Sequence, residues 1–369
     1  MRIDAVELRQ VRMPLKSPFR TSFGSEYDRS ILLLAVHSGG AVGWGECVAM
    51  SDPLYSSEYR DAATDVLLRF LLPALADREL RATDVGPLLE RFRGHRMAKA
   101  AIEAAVLDAE LQLRGESLAG YLGATTDRVA AGVSVGIADS IPALLQEVGG
   151  YLDSGYRRIK LKIQPGWDVE PVAAVRREFG AELPLQVDAN TAYRLSDARQ
   201  LARLDEFDLL LIEQPLPEED LLGHARLAEQ ISTPVCLDES ITSAESVAQA
   251  ITLGACEVVN IKPGRVGGYL EARRIHDVAS AHGLPVWCGG MLETGIGRAA
   301  NLALAALPGF VLPGDTSASD RYYAEDLTEP FVLEDGYVRV PTGPGIGVAP
   351  DPDRLSARTE SVQTFTPGS

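Results

Sequence analysis

The chain has 369 residues, enough for one large domain and a smaller one, and 46% hydrophobic with 24% charged side chains is the composition of an ordinary globular protein with a sizeable core. Thirty-five basic against 52 acidic side chains give a formal net charge of −17, which excludes nucleic acid as an expected partner, because phosphate binding rests on a surplus of Lys and Arg. No window approaches the ~18 consecutive apolar residues of a membrane span, and the first fifteen residues mix charges with apolar side chains, unlike a secretory leader.

The first elements are β-like runs at residues 6–11, 31–37 and 41–45, with Ser38-Gly39-Gly40 as the hairpin signal between the latter pair. Residues 57–114 carry a helical pattern, Ala-rich and Leu-rich over 98–113. Together they predict an α+β cap over residues 1–125. From residue 128 the texture changes to strand, loop and helix in repetition. Strands are expected at 129–135, 158–163, 185–187, 209–212, 235–237, 258–261, 286–288 and 310–312, with helices between them such as 196–204, 244–253 and 269–282. Short apolar strands alternating with helices imply a parallel sheet, and some eight repeats imply closure into a barrel over residues 126–320. An open doubly wound sheet is the alternative, but no GxGxxG turn follows the early strands. The fold class is therefore α/β, a (β/α)7β TIM-like barrel with an α+β capping domain built from the N-terminal region and the C-terminal segment. In that segment, 321–369, runs at 331–333 and 337–340 are expected to return to the cap, and 364–369 reads as a frayed tail. Cys47, Cys236, Cys256 and Cys288 are scattered through these elements without a CxxC pair, which predicts reduced thiols and a cytoplasmic location.

Charged residues terminate one apolar strand after another. Lys160 and Lys162 fall on the second barrel strand, Asp188 on the third, Glu213 on the fourth, Asp238 on the fifth and Lys262 on the sixth, at intervals from Lys162 of 26, 25, 25 and 24 residues. Strand C-termini of such a barrel converge on one rim, where catalytic groups come from several strands. Three carboxylates on adjacent strands repel one another unless a cation sits among them. An all-oxygen set favours a hard metal, and Mg2+ suits a few carboxylates plus substrate oxygens. Lys160 and Lys162 alternate around Leu161, so both face the barrel interior, and Lys262 faces Lys162 across it. Opposed lysines beside a metal suit removal of a proton from a carbon next to a carboxylate, where the metal's charge supplies the larger share of the stabilisation.

Lys160-Leu161-Lys162, Asp188-Ala189-Asn190, Glu213-Gln214-Pro215, Asp238-Glu239-Ser240 and Lys262-Pro263-Gly264, in this order, resemble the enolase superfamily, and within it the muconate lactonising subgroup. The chain looks like the o-succinylbenzoate synthase/N-succinylamino acid racemase (N-acylamino acid racemase) branch. The likeness includes Pro18-Phe19-Arg20-Thr21, Gly43-Trp44-Gly45-Glu46, Gly289-Gly290-Met291-Leu292-Glu293 and Gly314-Asp315-Thr316. The resemblance implies that Asp188, Glu213 and Asp238 ligate Mg2+, with Mn2+ as a substitute, and that Lys162 and Lys262 are the acid/base pair. It implies supporting roles for Lys160, which would lower the pKa of Lys162, for Asn190 and Glu239, and for Arg265, which would lower the pKa of Lys262. Phe19, Arg20, Met50 and Tyr55 from the cap, and Ser134, Gly289, Gly290 and Met291 from the barrel, are the expected substrate contacts. The implied substrate is a small carboxylate with a succinyl or N-acyl tail, and the protein is expected to be a homo-oligomer. Another cycloisomerase or epimerase of the subgroup is the alternative within enzymes, and a metal-binding barrel without turnover the alternative outside them. The absence of histidine from the strand ends argues against a His–Asp base. The lack of a DxD at Gly314-Asp315-Thr316 argues against a dipeptide epimerase.

Overall fold

A long antiparallel hairpin begins the chain, in a computed structural model that describes residues 1–368. Strands β1 (Ala5–Thr21) and β2 (Gly24–Ser38) form the hairpin, and β3 (Ala41–Cys47) follows a turn in which Gly39 and Gly40 both adopt positive φ, 56° and 90°. The helix Arg96–Arg114 lies against this sheet at very short range. A Cβ on Gly43 would come within 2.1 Å of the Ala105 carbonyl oxygen, and one on Gly45 within 2.0 Å of that of Ala101. Only glycine facing alanine allows that approach.

The barrel follows in chain order after a short strand, β4 (Arg128–Ala130). Its strands are β5 (Gly132–Val135), β6 (Arg158–Lys162), β7 (Leu185–Asp188), β8 (Ile212–Glu213), β9 (Val235–Leu237), β10 (Val258–Ile261) and β11 (Val286–Cys288). They pair in sequence order as one parallel seven-stranded sheet. Residues 309–315 close it without a regular ladder, by single parallel bridges from Phe310 to Val286 and from Gly314 to Ala131. Thus the run at 310–312 occupies the eighth position as bridges rather than as the expected strand. Inside, Leu211, Cys236, Val258 and Trp287 form a separate apolar cluster. Arg158 and Lys160 lie over the Trp287 ring at 5.3 and 4.7 Å. Side-chain alternation puts this plug below the strand ends, so the barrel interior is apolar at its base and ionic at its rim.

Two expectations for the C-terminal segment need correction. The strand β12 (Tyr337–Arg339) does not return to the cap but pairs antiparallel with β4 beside the barrel, and residues 331–333 form no strand. The element that joins the cap is β13 (Thr359–Phe365), antiparallel to β1, so Thr364 and Phe365 belong to a strand rather than a frayed tail. Among the described residues no helix is long and apolar enough to cross a membrane.

Candidate active site

Register brings the predicted charges together. Lys162 pairs with Asp188, and Asp188 with Glu213, so these three side chains stand at one level on β6, β7 and β8. Asp238 follows β9 directly and Lys262 follows β10. The strand order places β10 and Lys262 across the barrel from β6 and Lys162. All six residues from Lys160 to Lys262 in this series are buried. The turns that leave the rim are conformationally demanding: Asn190, Thr191, Gln214 and Leu292 all adopt positive φ, between 39° and 64°. Such backbone persists only where surrounding bonds fix it, and it clusters at functional sites. Here the Asn190 amide donates to Asp188 Oδ1 (2.9 Å) and Thr191 N donates to the Gln214 carbonyl (2.8 Å).

Each carboxylate meets a cation. Lys162 Nζ donates to Asp188 Oδ2 (2.5 Å) and Asn190 Oδ1 (2.7 Å). Lys262 Nζ donates to Asp238 Oδ2 (2.7 Å) and reaches the Tyr55 hydroxyl at 3.2 Å. Lys160 Nζ lies 2.6 Å from Asp315, 3.0 Å from Glu213 and 3.4 Å from Asp188. Arg265 donates to the other oxygen of Asp238 and to the carbonyls of Ile241 and Asn260, both at 3.0 Å. Asn190 Nδ2 donates to Glu239 Oε1 (3.0 Å), and Asn260 Nδ2 to Glu213 Oε1 (2.6 Å).

The electrostatics follow from burial against these pairings. Burial disfavours the charged form of Asp188, but Lys162 and Lys160 outweigh it and hold the carboxyl below its usual range. For Asp238 burial is likewise outweighed, by Arg265 and Lys262. Glu213 goes the other way: burial, reinforced by Asp188, pushes it up to about 8. Glu239 is raised by burial and by Asp238 and Asp188. Burial opposes the charge on Lys160 and Lys262, yet Asp315 and Asp238 respectively overcome it and raise both lysines. Arg265 and Lys262 share the Asp238 carboxylate, each bonded to one of its oxygens.

A divalent cation is tested by the donor set itself. Among the described residues no three acidic or imidazole groups converge on a common point, the carboxylates being turned to ammonium and guanidinium groups. The chemistry nevertheless fits. Three oxygen-only donors, Asp188, Glu213 and Asp238, sit at consecutive strand ends, the kind of set a hard divalent cation takes.

Above the rim lies a cavity between cap and barrel. Phe19, Met50 and Tyr55 line it from the cap, and Lys162, Asn190, Lys262, Gly290 and Met291 from the barrel. Three of the predicted contacts lie elsewhere. Arg20 leaves the cavity and pairs with Asp139 at 2.7 Å. Ser134 sits one level down, paired with Lys160 on the neighbouring strand. Gly289 acts through what it lacks, since a Cβ there would meet Asn260 and Lys262. The sequence reading also missed three residues: Asp315, which with Arg158 (2.9 Å) anchors Lys160; Asn260; and Arg29, a buried cavity-lining cation from β2. A signal for Asp315 existed, because it falls one repeat beyond Gly289.

A capped barrel with this rim defines a member of the enolase-like enzymes, as the motifs implied. The chain belongs to the mandelate racemase/muconate lactonizing enzyme family: residues 143–354 match the family model "Enolase C-terminal domain-like", and residues 3–123 match "Mandelate racemase / muconate lactonizing enzyme, N-terminal domain". It is 66% identical to the N-succinylamino acid racemase of Amycolatopsis sp over 97% of this chain and 98% of that one. It is 47% identical to the o-succinylbenzoate synthase of Geobacillus kaustophilus over 98% and 97%. A solved enolase-superfamily member from Listeria innocua superimposes with a TM-score of 0.95, at 41% identity over 99% of both chains.

Proposed function

We propose that the protein abstracts a proton from the carbon beside a substrate carboxylate, racemising N-succinylamino (N-acylamino) acids and dehydrating the precursor of o-succinylbenzoate, a step toward menaquinone. The observation that carries this is the pair of opposed lysines, Lys162 and Lys262, entering one cavity beside Asp188, Glu213 and Asp238. Those three carboxylates would hold Mg2+, or Mn2+ in its place. When bound, the cation supplies positive charge where the second negative charge of an enediolate develops, and engages carboxylates that otherwise hold Lys262 protonated. Lys162 takes the proton from one face of the substrate. In racemisation Lys262 delivers a proton to the other face. In dehydration Lys162 returns its proton to the departing hydroxyl on the same face, while the charge of Lys262 steadies the enediolate. Asn190 orients Lys162, and Lys160, pinned by Asp315 and Glu213, contributes fixed positive charge. The relatives support both activities, since one is named a racemase and another a synthase. The four buried, unpaired cysteines support a reducing cytoplasm, where we place the protein as a homo-oligomer.

The test is α-deuterium incorporation into an N-succinylamino acid in D2O with Mg2+, followed by NMR. Exchange is expected from the native protein, is lost on exhaustive chelation and returns with Mg2+. Lys162→Ala is expected to lower exchange by about 10^3-fold, in the range typical for a positioned base. Undiminished exchange in that variant, or in metal-stripped protein, removes the proposed chemistry.

A further inference from the structure

The cavity above the lysines is apolar over most of its cap wall, through Phe19, Met50 and Tyr55. Among the cap residues that line it, Thr21, Glu26 and Arg29 break that pattern, and Arg29 is the one cation. Arg29 lines the same cavity and is only 3% exposed. Its guanidinium is under-satisfied: one terminal nitrogen donates to the Val48 carbonyl at 3.2 Å, the other lies 3.5 Å from Glu26, and Nε has no partner among the described residues. Glu26 also lines the cavity but is itself partly exposed. A buried guanidinium carries five donors in a planar fork suited to a carboxylate, and leaving them unmatched away from water is unfavourable. Arg20, near the turn of the same hairpin, cannot fill that role because it is committed to Asp139 outside the cavity.

We propose that Arg29 is the recognition site for a second carboxylate, carried at the far end of the substrate's tail. This rests on the proposed proton-abstraction chemistry and narrows it. The lysines and the metal-ligand carboxylates handle the reacting end from the barrel side. Arg29 reads the other end from the cap side, so dicarboxylate substrates are selected over neutral acyl analogues of equal length. The weak, long contact with Glu26 keeps the guanidinium in place when the cavity holds no tail, and a bound carboxylate replaces it with a charge-assisted pair.

The experiment compares N-succinyl and N-pentanoyl derivatives of the same amino acid, the latter replacing the terminal carboxylate by an apolar end. Both are measured by α-proton exchange with the Mg2+-loaded native protein, Arg29→Gln, Arg29→Lys and Glu26→Gln. Arg29→Gln is expected to lower kcat/KM for the N-succinyl substrate by about 10- to 100-fold, mainly through KM, while the N-pentanoyl substrate changes less than about 3-fold. Arg29→Lys should recover part of the loss, keeping charge without the fork. Glu26→Gln should lower KM for the N-succinyl substrate alone, and this arm reports even if the Arg29 variants fail to fold. Equal losses on both substrates, or an unchanged N-succinyl KM in Glu26→Gln, overturn the assignment of Arg29. Absence of exchange by the native protein on both substrates would instead overturn the proton-abstraction chemistry.

Discussion

A Cβ built on Gly289 would lie 2.3 Å from Asn260 Oδ1 and 2.7 Å from Lys262 Cε, so this position is bare because the lysine must pass it. Gly289→Ala therefore has to move Lys262 or Asn260. A displacement near 1 Å at a reacting group costs about 10^2-fold in rate, whereas overpacking of this kind costs only ~1–3 kcal/mol in stability. The variant is expected to stay folded by thermal melting while kcat falls by about 10^2-fold, and an unchanged kcat would free Lys262 from the constraint. At this scale the sequence was legible where a repeat located the residue. Lys162, Asp188, Glu213, Asp238 and Lys262 all follow from the step of about 25 residues, because strand and helix lengths in each unit are fixed by the barrel's geometry. The cap contacts had no such ruler. Phe19 and Arg20 are adjacent on a strand and so cannot both face the cavity, a consequence of alternation that the sequence reading passed over. Arg29 became visible only when β2 was seated over a rim formed by residues more than a hundred positions away.

Among the elements, the helix Arg96–Arg114 connects cap to barrel. Glu103 on it accepts from the amides of Tyr269 (3.1 Å) and Leu270 (3.3 Å), which begin the barrel helix Tyr269–Ala281. Asp108, further along, accepts from Trp44 N (2.7 Å) and Ile346 N (2.8 Å). A helix start deprived of its acceptor loses about 0.5–2 kcal/mol, and stranding buried amides adds to this, for a total of ~2–3 kcal/mol. Glu103→Ala is expected to shift the urea midpoint by that much, and a shift under ~0.5 kcal/mol would make the contact incidental. Helices such as Ala244–Leu253 and strands such as β9 and β10 were legible because each buries a continuous apolar face. The misplaced elements lack that property. β13 is almost wholly exposed, so it carries no apolar alternation, and its identity as a strand comes only from hydrogen bonds to β1. For β12 the local pattern does mark a strand, but nothing local specifies that its partner is β4 rather than the cap.

Across the whole molecule, the seam between cap and barrel is held by buried carboxylates that resist ionisation. Burial pushes Glu103 up to about 8, and Asp108, on the same helix, up to about 6. Glu46, reaching from β3 to Thr294 and Gly297 at the start of the helix Gly295–Ala305, is pushed up to about 7 by burial, with Glu293 adding to it. For a group whose pKa is raised in the folded state, the native protein binds the proton more tightly than the unfolded chain. Its contribution is complete below the unfolded value and is lost as pH climbs through the folded one. The window thus opens near the ordinary carboxylate range and closes at about 8 for Glu103. A net charge of −17 acts in the same direction, since further ionisation adds to self-repulsion. Unfolding free energy is therefore expected to fall by a few kcal/mol, roughly, between pH 5.5 and 8.5, a large part of the ~5–15 kcal/mol typical of a domain. Urea titrations at the two pH values check this, and Glu103→Gln, which keeps an acceptor for only one of the Tyr269 and Leu270 amides and removes the titration, should lower stability at both pH values but flatten the dependence. Stability that rises over the window would mean that the seam carboxylates are ionised in the native state and that the amides they accept from outweigh their burial.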